Sequence, residues 1–150
     1  MLMKLVASLF LERPGQKWTM SAWGEKLSAN GDKIIQKLDK LSDKEQNRRV
    51  LSHIIGIELW GQSRMRVALG EPFKDEEYDS YRPSKNRSWE QLKTEFRMTR
   101  RKTVALAEEL DNQQIAQSTK VKHNQYGELT LGAWLRYLDI HATMEGKGLK

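Results

Sequence analysis

Between residues 88 and 110 the positions Trp89, Leu92, Phe96, Thr99, Thr103, Leu106 and Leu110 recur in steps that alternate three and four without a break. Only an α-helix brings such a series onto one face, and so narrow a face is stable only when other helices cover it. Ser88 followed by Gln91 supplies a capping box at its start. A second stripe, Met20, Trp23, Leu27, Asn30, Ile34, Leu38 and Leu41, predicts an earlier helix, with Asn30 and Gly31 as a candidate break inside it. Val50, Leu51, Ile54, Ile55, Ile57, Leu59 and Met65 predict a broad-faced helix over about 43–69, stopped by Gly70 and Pro72. A final helix opens near Thr130. The polar stretch 111–127 reads as a connection, and no strand-like alternation of useful length is present. The expectation is an all-α fold with residues 1–150 in a single domain, packed most simply as a four-helix bundle whose two long connections permit crossovers.

With no cysteine there is no disulfide framework, no thiolate zinc site and no cysteine nucleophile, so any metal site must use nitrogen and oxygen. The same absence leaves the cytoplasm as the expected location. The 26 Lys and Arg exceed the 20 Asp and Glu by six, but the charges are spread through every segment. The densest basic cluster, Arg97, Arg100, Arg101 and Lys102, has Glu95, Glu108 and Glu109 beside it, which dilutes the field a phosphate backbone needs and argues against nucleic acid as a partner. Leu5 to Leu11 is the one apolar run near the start, and seven residues fall far short of the roughly 20 that span a bilayer as a helix. Glu12, Arg13 and Pro14 follow it with no small-residue cleavage site between, so residues 1–17 are expected to dock on the body of the fold. No membrane partner is expected.

Residues 71–87 lose the helical periodicity altogether, and structureless stretches of that length in small domains tend to be functional. Folded over one end of the helices, they would bring Tyr78, Tyr81 and Arg82, with Arg64 and Arg66, to the mouth of a pocket. Trp18, Trp23, Trp60, Trp89 and Trp134 sit at predicted helix starts and stripes, which reads as packing in the core or a dimer interface.

The chemistry concentrates in the last helix. Its stripe reads Leu131, Trp134, Leu138, His141, Glu145, apolar at first and ionisable at the end. Burying an imidazole and a carboxylate one turn apart costs several kcal/mol unless something pairs with them, and one cation would pair with both. Of the three histidines, His53 lies amid apolar residues of the second helix and His123 in the connection before the last helix. His53 either makes a hydrogen bond in the core or supplies a third ligand, since metal sites in helical bundles are built from facing helices. Glu145, close to Gly146 and Gly148, either ligates or is simply solvated. Glu58, five residues beyond His53, lies about 140° round the helix and is a poor general base.

The segments LSHIIGIELW, DEEYDSYRP, FRMTRRKTVALAEEL and HNQYGELTLGAWLRYLDIHATME, covering roughly the last two thirds of the chain, resemble the DinB-like (DinB/YfiT-like) superfamily. That resemblance implies a four-helix bundle in up-down-down-up order, usually a homodimer. It also implies a divalent metal held by one histidine of the second helix and a His-x-x-x-His pair of the fourth. His53 and His141 match two of those ligands, and Glu145 stands where the second histidine of the pair is usual. His123 is not expected to ligate. Two histidines and a carboxylate still bind zinc or nickel, with iron(II) or manganese as alternatives, and leave open positions. The activities implied are those of a metal-dependent hydrolase or a thiol-dependent transferase acting on a small molecule or low-molecular-weight thiol. The alternative is a non-catalytic, stress-related dimer whose metal is structural or absent and which acts through macromolecular contacts.

Overall fold

The periodic stretches become helices almost where their spacing ends. In the computed structural model, which describes residues 1–150 throughout, helix α1 comprises Leu2–Val6, a π-helical stretch Ala7–Glu12 and a closing turn Arg13–Gly15. Then come α2 (Met20–Asp39), α3 (Glu45–Arg66), α4 (Trp89–Asn112), strands β1 (Lys120–His123) and β2 (Gly127–Thr130), and α5 (Leu131–Gly146). The starts are capped as their residues dictate. Thr19 Oγ1 accepts from Ala22 N, and Thr130 Oγ1 from Ala133 N. At α4 both capping-box bonds form, Gln91 N to Ser88 Oγ at 3.1 Å and Ser88 N to Gln91 Oε1 at 2.9 Å. Past α3, Gly70 at φ +98° closes a short 3-10 turn.

Helix α2 runs unbroken through Asn30 and Gly31. Gly31 is a contact residue, since a Cβ there would stand 2.7 Å from Arg100 Cγ on α4. Both α2 and α3 pack along α4 and α5. Between α2 and α5 the contacts climb together: Asn30 Nδ2 donates to Asp139 Oδ1, and Lys37 Nζ to the Gly146 carbonyl. Between α2 and α4 they run in opposite order, Ser21 N to Asp111 and Arg97 to Asp39. The same opposite order relates α3 to α5, where His53 meets His141 and Trp60 meets Trp134.

Two apolar clusters fill the interior, one around Trp23, Leu27, Trp60, Leu110 and Trp134, the other around Leu38, Leu51, Ile54, Trp89 and Phe96. Each such side chain contributes about 1.5–3 kcal/mol by leaving water. Four of the five tryptophans are buried, and Trp18 stays exposed. Arg100 touches both clusters. Its Nη1 donates to the Leu27 carbonyl at 2.9 Å, its guanidinium lies 5.4 Å from the Phe96 ring centre, and its Nε and Nη2 grip Glu58 at 2.6 and 3.0 Å. Thr103 Oγ1 also donates to Glu58 and accepts from Gln62 Nε2. One guanidinium thus ties α2, α3 and α4. The densest basic cluster of the sequence contains this buried residue, which is 3% exposed.

The stretch 111–127 is more than a connection. An antiparallel hairpin pairs Val121 with Leu129 and His123 with Gly127, and Gly127 at φ +77° closes its three-residue turn. Val121 and His123 point inward and Lys120 and Lys122 outward. Strands of four residues leave too short an alternation to register against helical periods. Trp134 Nε1 fastens the hairpin to α5 through the Val121 carbonyl at 3.0 Å.

The N-terminal segment docks by one face. Ala7 and Leu11 enter the core, while Leu2, Leu5, Leu9 and Phe10 stay exposed. Its end is pinned where Gly15 lies against Gly132, whose Cβ, if present, would stand 2.5 Å from the Gly15 carbonyl oxygen. Trp23 Nε1 and Gln117 Nε2 both donate to that oxygen. Glu12 accepts from Thr130 N and Oγ1 at the start of α5, where a carboxylate suits the helix dipole. No helix is long and apolar enough to cross a membrane.

Candidate metal centre

His53 lies in the third turn of α3 and His141 late in α5, and the opposite run of those helices brings the two rings together, centres 4.9 Å apart and planes tilted by 54°. Their Nε2 atoms are 3.1 Å apart. Glu145, one turn beyond His141, places Oε1 4.0 Å from His53 Nε2, and one ligand atom from each of the three side chains lies within 4.8 Å of the others. The sequence-predicted triad therefore converges. Glu145 sits at the rim with its side chain 45% exposed, and that of His53 is 25% exposed.

Burial is the main cause that lowers the proton affinity of both imidazoles. For His141, with His53 and His123 adding to it, the pKa falls to about 3. For His53, burial outweighs the opposing pull of Glu145; Arg82 adds to the lowering, and Asp79 works against it. Both rings are neutral at pH 7, the form that ligates metals. Two nitrogens on one zinc ion at 2.0–2.1 Å lie about 3.3 Å apart at the tetrahedral angle. A separation of 3.1 Å is close to that and equally close to an N–H···N hydrogen bond. The donor set of two imidazoles and a carboxylate fits zinc, nickel, iron(II) or manganese.

Aromatic packing orients the rings. Tyr78 meets His53 edge-on with centres 5.0 Å apart, and Tyr137, one turn before His141, lies 5.7 Å from it. Tyr78 comes from the long loop, whose 3-10 turn Tyr78–Tyr81 packs on α3. Arg82 follows, its stem pressed against Gly56, where a Cβ would stand 2.7 Å from Arg82 Cγ.

Other residues expected at the mouth lie elsewhere. Arg64 and Arg66 are 11 and 13 residues beyond His53, about 16–20 Å further along α3. Arg64 is buried, donates to the Lys122 and Glu76 carbonyls and to Asn124 Oδ1, and lies between Trp60 and Phe73, so it joins the loop to the hairpin. Tyr81 reaches away from the histidines to Ser63 and Glu76. Glu58, fully engaged by Arg100, offers no base.

His123 lies outside the cluster of His53, His141 and Glu145, and its surroundings are unusual. Its Nδ1 accepts from the backbone N–H of Gln125 and Tyr126 at 3.0 and 3.2 Å, which leaves the proton on Nε2. That nitrogen is buried without a hydrogen-bond partner. Trp60 and Tyr137 stand nearly perpendicular to the ring, at 78° and 80°, in edge-to-face packing. Burial, then the Arg64 charge, lowers its pKa to about 4. Tyr137 bridges this aromatic box to His141. Its place at i−4 from His141 was the available signal, and the tyrosine reads from sequence as one more aromatic on an amphipathic helix. No family model, no curated protein and no solved structure matches this chain.

Proposed function

We propose that this chain is a divalent-metal-binding protein of the DinB-like superfamily, in which His53, His141 and Glu145 hold one ion, zinc or nickel before iron or manganese. The observation that carries the reading is the meeting of three donor atoms, contributed by two helices, within 4.8 Å. The parallel run of α2 with α5 and the antiparallel runs of α2 with α4 and α3 with α5 support an up-down-down-up four-helix bundle. In that setting the chain acts as a homodimer on a small molecule, as a metal-dependent hydrolase or a thiol-dependent transferase. A bound divalent cation supplies Lewis acidity to a substrate oxygen or sulfur. The protein's own part is to keep the two imidazoles neutral by burial, to fix their planes with Tyr78 and Tyr137, and to leave the Glu145 side open for entry.

A competing reading, a non-catalytic dimer with a structural metal or none, draws on the half-exposed Glu145 side chain. The test is metal content after purification without chelators, for the parent, His53→Ala and His141→Ala. Near one equivalent in the parent and background in both variants supports the metal site; background in all three refutes it. A structural ion lowers the melting temperature of the variants, whereas a catalytic ion with open positions leaves it nearly unchanged.

A further inference from the structure

Positions 49, 53 and 56 of α3 follow at steps of four and three, so they share one face of the helix. Arg82 is laid along that face. Its stem presses on Gly56, with the Cα as well as the Cγ inside normal contact of a Cβ placed there, at 3.3 and 2.7 Å. Its Nη2 reaches the Arg49 carbonyl at 3.3 Å. The side chain therefore runs from one side of His53 to the other, and the absence of a Cβ at position 56 is what lets it lie so close. The Arg82 N–H bond to the Asp79 carbonyl, at 3.2 Å, closes the turn that also sets Tyr78 on the His53 ring.

The guanidinium is held in place yet little used. One of its five N–H donors has a protein acceptor, a long bond to a carbonyl, and no carboxylate lies within ion-pair distance of it. By contrast Arg64 and Arg100 are each committed to several acceptors. A pre-placed arginine with a free fork is the group that matches a carboxylate in two parallel hydrogen bonds.

Resting on the metal-site reading above, we propose that Arg82 anchors the anionic end of the substrate. The centre then takes small organic acids that present a second donor, such as a thiolate, to the metal ion. Arg82 selects the molecule, and His53, His141 and Glu145 hold the ion that meets its reacting end.

The test uses the full chain loaded with cobalt(II), whose visible absorption reports a change of ligand. Titration with 3-mercaptopropionate and with 2-mercaptoethanol compares a thiol bearing a carboxylate with one that lacks it. The parent binds the acid about tenfold or more tighter, the effect of one charge-assisted contact. Arg82→Gln loses that preference while keeping its affinity for cobalt, and Arg82→Lys, which retains the charge without the fork, keeps part of it. If the preference is equal in parent and Arg82→Gln, it comes from chelation at the metal and the anchor is refuted while the metal site stands. If the parent binds no cobalt at all, the metal site and the anchor fall together.

Discussion

The pair Glu58 and Arg100 offers a sharp test of how the helices are held in register around the candidate centre. Both side chains are all but sealed from water, at 2% and 3% exposure, and the carboxylate accepts from Arg100 Nε, Arg100 Nη2 and Thr103 Oγ1. Glu58→Gln keeps the volume and one acceptor oxygen but turns an NH2 toward Arg100 Nη2, which stands 3.0 Å from the replaced oxygen. Arg100 is then a buried cation without its counter-charge. Breaking one partner of a buried pair costs about 3–5 kcal/mol, and at about 2–4 °C per kcal/mol in a domain of this size the melting temperature falls by roughly 10 °C. Replacing both, as Glu58→Leu with Arg100→Met, removes the unpaired charge and recovers most of that loss. Calorimetric melting of the parent, the single variants and the double variant measures the coupling. A single-variant shift below about 2 °C, or a double variant that loses the sum of the two singles, refutes the reasoning.

Two further outcomes follow from the same packing. His123 has a folded-state pKa of about 4 against 6.5, so between those values the unfolded chain binds a proton the native one refuses. Stability is full above about pH 6.5 and falls toward pH 4 by roughly 3 kcal/mol from this group. Denaturant midpoints measured across that window fall in the parent and fall less steeply in His123→Phe, where His141 and His53 still resist protonation; parallel curves contradict the assignment. Gly132→Ala forces a Cβ against the Gly15 carbonyl oxygen, so α1 loosens and amide exchange over residues 7–15 accelerates, while exchange in α4 stays as in the parent.

How much was legible in the sequence depended on how far each feature reached along one element. Trp89 to Leu110 predicts its helix because seven positions agree on one period. His141 and Glu145 were visible for the same reason, as the polar end of an apolar stripe, and His53 because only three histidines exist. Contacts between distant segments left weaker marks. Arg100 looks like its surface neighbours Arg97 and Arg101, since a buried cation is defined by its partner Glu58, 42 positions away. The hairpin around His123 is built from strands too short to alternate convincingly. Arg64, expected at the mouth of the pocket with the loop, instead fastens the loop to the hairpin beside His123, well away from His53 and His141. The loop residues packed at His53 are Tyr78 and Arg82, both expected at the mouth from the length of the loop, and Gly56 is the mid-helix glycine that makes room for Arg82.

On the proposed reading His53, His141 and Glu145 serve one ion. A crystal structure of the protein loaded with one equivalent of zinc, with diffraction recorded on both sides of the zinc absorption edge, tests it directly. A single anomalous peak is expected between the two imidazoles, with both Nε2 atoms and a Glu145 oxygen at about 2.0–2.2 Å from it. No peak there, with the rings joined instead by an N–H···N hydrogen bond and Glu145 turned to solvent, contradicts it.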